Sequence, residues 1–589
     1  VRIVPGLTIT PGSPGTTISP AVMSSLIRTG RVVFVSVTMP AWAIVCATVT
    51  FGADSDTSFV PKSIGAVCPT SSVRITPEPA WAICTVRWSV HATGAPVPVP
   101  VTIALAVPLS SLTWTPVMAA PTVSVAPDGE RRRLRGPGQR QQREQGERQD
   151  ATHAPDGTCV SPPARCGATR NRPIRHTPPV SGTDHSRVAI TGIGIVGPTG
   201  NGADALWSSL MEHRSGVIRL EGEQYEGLPA RHAAPIADFD LSPYIEKRAA
   251  RRMGRFAQFA LVAGHMALAD AGLDDISGPR TAITIHTGAG GIPEGDEEIL
   301  KRQHDPSRMG PLYVPLVSGN MAAANAAITW GVTGPVTAGV GACAAGTIAV
   351  AEGYHTLRRG DVDVVLAGAS DAALTPYLMS SLANAGALST AEGDPVTLSR
   401  PFDRDRTGFI PAEGAAMLVL EPLAAAEARG AHVYAEIASV AVTCDAYHVT
   451  APDPDGAGAE LALRGALERS GMTADEIGAV IAHGTGTALN DASEAAAVNR
   501  VLGRTPKVTA PKAVLGHGLG AAGAFSVAIG ALVADKGEVP PVMNLDNPDP
   551  ACDIDLVRGA AAPLERPGVM IDAFGFGGQN AVIALRAQG

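Results

Sequence analysis

The sequence predicts an α/β protein in two similar halves, preceded by a long stretch with neither helix nor sheet periodicity. Three observations predict it. From Arg187 onward, short apolar runs alternate with Ala-rich stretches of helical length. After about Val433 a second series of the same build begins. Before Ser186 neither pattern is present, because prolines interrupt nearly every apolar run, as in Pro96-Val97-Pro98-Val99-Pro100. The expected organisation is therefore an extension over residues 1–186, a first half over 187–432 and a second half over 433–589.

Composition narrows the function classes. Of 589 residues, 46 are Lys or Arg and 55 Asp or Glu, a net charge of −9. With 45% apolar and 17% charged residues, the chain can bury a large core. The acidic balance gives no overall electrostatic footprint for nucleic acid, and 4% aromatics offer few stacking platforms.

The extension divides in two. Residues 1 to about 127 are rich in Val, Thr, Ser, Pro and Ala, with an echo of Met39-Pro40-Ala41-Trp42-Ala43-Ile44 in Glu78-Pro79-Ala80-Trp81-Ala82-Ile83. A run of Arg, Gln, Gly and Glu then fills Glu130–Asp150 and passes into Pro- and Arg-rich sequence, the composition of a disordered linker. Val32–Ala53 is uncharged and long enough for a bilayer. However, it carries Ser36, Thr38, Pro40, Thr48 and Thr50 and lacks the layout of a signal peptide, so no membrane association is expected. The initial Val suits the expectation that residues 1–186 lie upstream of the working protein. Cys46, Cys68, Cys84, Cys159 and Cys166 fall in this extension, leaving Cys343, Cys444 and Cys552 for the remainder. With no C-x-x-C pair and three scattered thiols, the body reads as a reduced, cytoplasmic protein without a zinc site.

The elements of the body follow in order. Val188–Gly194 reads as a strand entering a Gly-rich turn, and Asn201–Met211 as a helix. Gly192, Gly194 and Gly197 satisfy Gly-x-Gly-x-x-Gly, but Pro198-Thr199-Gly200-Asn201 breaks the helix start that would hold a pyrophosphate. Phe256–Ala271 has helical periodicity, while Thr281–Ile285 and Val362–Gly368 are strands. In the second series Val433–Val442 is a strand, Gly456–Ser470 a helix and Ile477–Ala482 a buried strand. Ser526–Asp535 is helical, with two short strands near Phe574–Gly578 and Ala581–Leu585 closing the chain.

Chemistry concentrates in three segments. Gly339-Val340-Gly341-Ala342-Cys343-Ala344-Ala345-Gly346-Thr347 sets a cysteine at the start of an Ala-rich helix, where unpaired N–H groups favour a thiolate and small neighbours admit a thioester. A buried structural cysteine is the competing reading. Ala482-His483-Gly484-Thr485-Gly486-Thr487-Ala488-Leu489-Asn490-Asp491 sets a histidine just past a buried strand, where active-site residues of α/β folds collect. Lys512-Ala513-Val514-Leu515-Gly516-His517-Gly518 embeds a second histidine among glycines before a helix. One cysteine and two histidines in glycine-framed turns favour chemistry over structure.

These segments are joined by Arg251-Arg252-Met253-Gly254-Arg255-Phe256, Ser399-Arg400-Pro401-Phe402-Asp403, Asp445-Ala446-Tyr447-His448, Asn544-Leu545-Asp546-Asn547-Pro548-Asp549 and Phe574-Gly575-Phe576-Gly577-Gly578-Gln579-Asn580. Taken together and in order, from Val188 to Leu585, the body resembles the β-ketoacyl-acyl carrier protein synthases, the condensing enzymes of the thiolase fold, and among them the elongating type II kind. The resemblance implies a layered α-β-α-β-α core and decarboxylative Claisen condensation of an acyl thioester with a malonyl-acyl carrier protein, in fatty-acid, polyketide or polyene synthesis. It implies Cys343 as the nucleophile, with His483 and His517 assisting decarboxylation. Lys512 belongs to the active-site network, with Asp491 and Glu494 as its carboxylate partners. Phe576 is a mobile gate whose N–H, with that of Cys343, forms an oxyanion hole. The implied partners are an acyl carrier protein, acyl and malonyl thioesters, and a second subunit, either identical or related. No cofactor and no metal are implied.

Small departures from the family pattern are Gln579 in place of Thr or His, Asp371 in place of Glu, and Ala344-Ala345 after the cysteine. Rival readings fit less well. A degradative thiolase would carry a second cysteine in the C-terminal Gly-rich loop, and Phe574–Asn580 has none. A chain-initiating synthase would pair Cys and His with Asn, where this chain has His517. A chain-length-determining, non-condensing partner of a heterodimer would lack the nucleophile, which Cys343 supplies.

Overall fold

The computed structural model describes residues 81–88, 101–108, 184–237 and 239–588. The chain divides into two compact units, Val1–Val160 and Ser161–Gly589. In the first, β1 (Trp81–Trp88) and β2 (Val101–Pro108) pair antiparallel. A two-stranded ribbon has only edges, and Pro108 sits at its end, so the prolines that argue against central strands do not forbid it. The echo's first copy, the uncharged Val32–Ala53 stretch and the basic run of Glu130–Asp150 lie outside the described residues.

The second unit is described from residue 184. Its first half runs β3 (Val188–Gly197), α1 (Arg255–Asp270), β4 (Thr281–His286), α2 (Met321–Trp330), β5 (Val336–Thr337), α3 (Ala345–Arg358), β6 (Val364–Asp371) and β7 (Gly414–Pro422). The second half runs β8 (Ala435–Cys444), α4 (Ala457–Ser470), β9 (Ile477–Ile481), α5 (Ala488–Leu502), β10 (Lys507–Thr509), α6 (Ala521–Lys536), β11 (Gly568–Gly575) and β12 (Gln579–Arg586). In these core elements each half repeats the order β-α-β-α-β-α-β-β, with other helices such as Ala203–Met211, Ile292–Arg302 and Pro376–Asn384 and several short strands inserted between them. The spatial order repeats too: β5-β4-β6-β7-β3 in the first half and β10-β9-β11-β12-β8 in the second. So do the strand directions, three parallel strands at the outer side and antiparallel pairings towards the centre. Antiparallel pairing of Ile437 with Val188 joins the halves through β8 and β3. The two series read in the sequence are thus one topology used twice.

Layering follows from where the apolar faces meet. Helices α3 and α6 pack on one another and touch strands of both halves, so they form the central layer. That layer is almost wholly apolar and small: α6 is buried from Ala521 to Ala534. A Cβ on Gly346 would come within 2.2 Å of the Ala524 backbone nitrogen, so only glycine lets these helices approach so closely. Helix α1 covers the outer face of the first sheet and α4 that of the second. The result is the α-β-α-β-α stack.

The Gly-x-Gly-x-x-Gly motif has a packing explanation. Gly192, Gly194 and Gly197 all lie within the continuous strand β3, and a Cβ on Gly194 would fall 1.8 Å from the Ala263 carbonyl oxygen. Gly192 and Gly194 admit α1 against the strand, whereas Gly197 faces Gly200 and Phe525. At the chain's end, Phe574 and Gly575 close a longer strand than expected, β11, and the glycines after Phe576 form the turn into β12.

Candidate active site

The duplicated topology puts the two central helices in equivalent places, each following the third strand of its half. Cys343 precedes α3 and His517 precedes α6, so both helix N-termini converge on one point. The cysteine sits on a short 3-10 turn, Ala342–Ala344, entered through Ala342 at φ 45°. A non-glycine residue in that left-handed region is strained. His483 lies two residues past the end of β9. The Sγ of Cys343 and one ring nitrogen each of His483 and His517 lie within 4.8 Å of one another, and all three residues are buried.

Hydrogen bonds settle the histidine tautomers. The Leu519 backbone N–H donates to Nδ1 of His517 at 3.1 Å. That nitrogen is therefore unprotonated, and a neutral ring carries its proton on Nε2. Burial, then the Lys512 charge, holds the His517 pKa well below its ordinary value, so the ring is neutral. Its Nε2 is buried with no hydrogen-bond partner. His483 repeats the arrangement: Lys512 Nζ lies 3.3 Å from its Nδ1 and also donates to its carbonyl oxygen. Burial and Lys512 again keep the ring neutral. The rings meet edge to face at 5.6 Å between centroids, with Phe409 4.6 Å from His517 and Phe574 5.7 Å from His483. The product is a pair of neutral N–H donors in an apolar cage.

That set does not suit a metal ion. Each Nδ1 is occupied by a donor, so metal at either Nε2 would require loss of the ring's only proton. The Lys512 ammonium beside His483 further opposes a cation.

The thiol departs from the sequence expectation. Burial pushes the Cys343 pKa up to about 11, against the lowering influence of Lys512 and of hydrogen bonds from the Phe576 and Cys343 backbone N–H groups. Desolvation of an anion outweighs the favourable environment of the turn. The resting nucleophile is thus a thiol, and its proton must leave in the attack step.

The carboxylates also differ from expectation. Among the described residues, Lys512 forms no ion pair with Asp491 or Glu494; its bonds go to His483. Glu494 accepts from the backbone N–H groups of His483 (2.6 Å) and Gly484 (2.8 Å) and from Asn490 Nδ2 (3.1 Å). Asp491 accepts from the N–H groups of Phe402 (2.8 Å), Thr485 (3.0 Å) and Gly486 (3.1 Å), with Arg406 3.7 Å away. Both project from the first turns of α5 and stitch down the His483 turn. They act on the lysine by charge alone: burial lowers the Lys512 pKa to about 8, with Glu494 opposing. Burial raises Glu494 to about 7 and also raises Asp491.

Phe576 stands half-buried in the turn after β11, against an apolar cluster that includes Met379, Leu388 and Phe409. Gly577 and Gly578 follow at φ 85° and 73°. The turn is tied to the loop after β8, the Gly577 N–H donating to Val449 O and the Asp445 N–H to Gly578 O. Asp371 accepts from Thr287, Gly288 and Ala289, and burial raises its pKa to about 6. Sequence reading missed the Leu519 N–H and Phe409, neither of which has a signature in the sequence: the first depends on how the loop turns back on His517 and the second on what a distant segment brings to that ring.

Comparisons with known proteins agree with this geometry. Residues 185–426 match the family model described as "Beta-ketoacyl synthase, N-terminal domain" and residues 434–546 match "Beta-ketoacyl synthase, C-terminal domain". The chain is 37% identical over 409 residues to the 3-oxoacyl-[acyl-carrier-protein] synthase 2 of Synechocystis sp., an alignment covering 68% of this chain and 98% of that protein. Among solved structures it resembles the ishigamide ketosynthase/chain length factor (TM-score 0.64, 34% identity, 69% of this chain and 100% of that one). It likewise resembles a type II PKS ketosynthase, solved with its acyl-carrier protein and bound to the hexaketide (TM-score 0.64, 31% identity, 69% and 100%).

Proposed function

The chain belongs to the beta-ketoacyl synthase family, and from that premise we infer that it performs decarboxylative Claisen condensation of an acyl thioester with a malonyl-acyl carrier protein through Cys343, His483 and His517. In the first half-reaction the Cys343 sulfur attacks the acyl thioester carbonyl, and the thiol proton ends on the departing carrier thiol. The oxyanion formed is held by the N–H groups of Cys343 and Phe576. In the second, the malonyl carboxylate leaves as carbon dioxide and its electron pair forms a thioester enolate. The two Nε2–H groups donate to the enolate oxygen, each worth about 2.7–4 kcal/mol if typical of such donors. The enolate carbon attacks the acyl-cysteine, the C–S bond breaks, and the Cys343 thiolate takes up one proton.

The observation that carries this reading is the convergence of Cys343 Sγ with a ring nitrogen of each of His483 and His517 within 4.8 Å, the Nε2 of His517 being buried and unpartnered. A buried donor without a partner is costly, and an enolate oxygen would satisfy it. The alternative, a non-condensing chain-length subunit, gives no use for a complete cysteine–histidine set. Phe576, on its glycine-flanked turn, gates the approach to the cysteine. Residues 187–432 and 433–589 act as the two halves of the synthase, with residues 1–186 an extension outside it.

A second subunit is supported by one asymmetry between the halves. Strand Asp555–Leu556 caps β10, whereas among the described residues β5 pairs only with β4 and its other edge has no strand beside it. Near that edge Val340 is 66% and Ile328 77% exposed. An open edge with apolar neighbours suits pairing with another synthase subunit, identical or related. No helix among the described residues is long and apolar enough to cross a membrane, and the reading places the enzyme in the cytoplasm, working without a cofactor. Mass spectrometry of the protein with acyl and malonyl carrier proteins tests the assignment. Acylation at Cys343 and an extended product are expected; acylation elsewhere, or none with any carrier, overturns it.

A further inference from the structure

The duplicated fold makes each half brace the catalytic turn of the other. The end of β11, in the second half, packs on the Cys343 turn: a Cβ on Gly575 would stand 3.2 Å from the Cys343 backbone nitrogen. The end of β6, in the first half, reaches the turn before α6 in the same way, but with a carboxylate. Asp371 closes β6 and is fully buried. Its Oδ2 lies 2.6 Å from where a Cβ of Gly520 would stand, and the Gly288 nitrogen lies 2.4 Å from that point.

Donors fix this carboxylate. The Thr287 hydroxyl (2.7 Å) and the Ala289 N–H (2.8 Å) donate to Oδ1, and the Gly288 N–H (2.8 Å) donates to Oδ2. The Gly290 N–H goes to Thr287 Oγ1, that of Gly291 to Val317 O and that of Thr287 to Gly339 O, in the segment leading to Cys343. Every N–H from Thr287 to Gly291 is thus committed, and Asp371 meets donors only, which suits an anion. Gly520, seated against it, accepts from the Gly346 N–H of α3 at 3.0 Å. The residue before it, Leu519, is the one whose N–H holds His517 Nδ1.

We propose that Asp371 is a positioning residue for His517: braced by the Thr287–Ala289 loop, its carboxylate is the stop against which Gly520 rests, and so keeps the Leu519 N–H on Nδ1. Without the stop the turn from Gly518 to Gly520 relaxes, and the ring no longer presents Nε2–H alone. Burial raises the Asp371 pKa to about 6, so the brace is charged above that and lost below it. The titratable groups on the elements around it are His517 and Cys343 in the two turns, Glu413 next to its β7 partner Gly414 and held by Arg255, and His286 of β4, paired with Glu352.

The inference concerns the role given to His517 above, but its first test does not depend on that role. With isotope-labelled histidine, the ring-nitrogen NMR signals of His517 are identified by their loss in His517→Ala. They should show the Nε2–H tautomer in the parent at neutral pH and change as pH falls through about 6. Asp371→Asn keeps the size but turns one acceptor oxygen into a donor facing N–H groups, and should give mixed tautomers at every pH. Parent-like signals in that variant, or parent signals that stay constant on acidification, overturn the proposal whatever the enzyme's activity.

The second test is carbon dioxide release from malonyl carrier protein. Asp371→Asn should lower kcat about 10²-fold, as for a misplaced catalytic group, with KM little changed. Asp371→Glu keeps the charge, and the glycine-rich loop can shift to seat it, so about tenfold of that loss should return. A Glu variant as impaired as Asn, or a loss confined to KM, reduces Asp371 to packing and overturns the proposal. Altered ring signals with undiminished release would leave Asp371 as the seat of His517 and sink instead the role of His517 in decarboxylation.

Discussion

At the scale of single residues, the site works by fixing protons. Two histidines are locked as neutral Nε2–H donors by what binds their Nδ1 atoms, and the cysteine is kept as a thiol by burial. The half-reactions should therefore separate. Cys343→Gln abolishes acyl transfer and condensation but keeps or raises malonyl decarboxylation, because the amide resembles an acylated cysteine. His517→Ala lowers decarboxylation about 10²–10³-fold by removing one donor to the enolate oxygen. Carbon dioxide release measured beside radiolabelled acyl transfer checks both; full decarboxylation by the histidine variant would count against its role. Lys512 gives a pH prediction. Burial sets its pKa at about 8, so below that it is an ammonium donating to His483 Nδ1, and above it the charge is lost. Decarboxylation should fall as pH rises past about 8, and Lys512→Met should remove that limb along with most of the rate.

At the scale of elements, the catalytic geometry depends on how closely α3 and α6 approach. Both carry their functional group just before the first turn, so any change in spacing moves Cys343 relative to His517. Gly346→Ala places a methyl where the Ala524 backbone already lies. It should destabilise the protein by about 1–3 kcal/mol and lower condensation beyond what the lost folded fraction explains. Urea titration beside single-turnover condensation of the folded protein separates the two effects, and unchanged values for both would contradict the packing account. The elements themselves were largely legible in the sequence. The expected Phe256–Ala271 helix and Ile477–Ala482 strand lie within a residue of the observed elements, because strong 3.6-residue and continuous apolar patterns are local signals. Helical periodicity in the sequence begins only at Ser526, five residues after the start of α6 at Ala521. The first turn of α6 is Ala and Gly, whose small side chains give no periodicity and serve a contact with α3 that only the fold creates.

At the scale of the whole molecule, every group in the proposed mechanism lies beyond Arg187, within the second compact unit. A protein beginning near Thr183 should therefore fold and condense like the full chain. Insolubility, or loss of most turnover in a folded truncation, would show that the extension contributes. The open β5 edge gives the complementary expectation. Val340→Glu places a charge on its exposed apolar flank and should shift the protein to a smaller species in sedimentation velocity. An unchanged sedimentation coefficient for a dimeric parent would place the subunit contact elsewhere.

The amino-acid sequence alone identified the family, the two successive α/β series and the segments that carry Cys343, His483 and His517. It could do so because those residues sit in short glycine-framed segments whose spacing is a local property of the chain. Only the tertiary structure decided their protonation states and partners. The donor to His517 Nδ1 comes from its own loop, but only because that loop folds back at Leu519, at φ 50°. The donor to His483 comes from Lys512, 29 residues away. The carboxylates read as lysine partners instead hold the His483 turn. Tautomers and proton affinities follow from which dipoles and charges surround a group and how much water is excluded, and those are properties of the packed molecule.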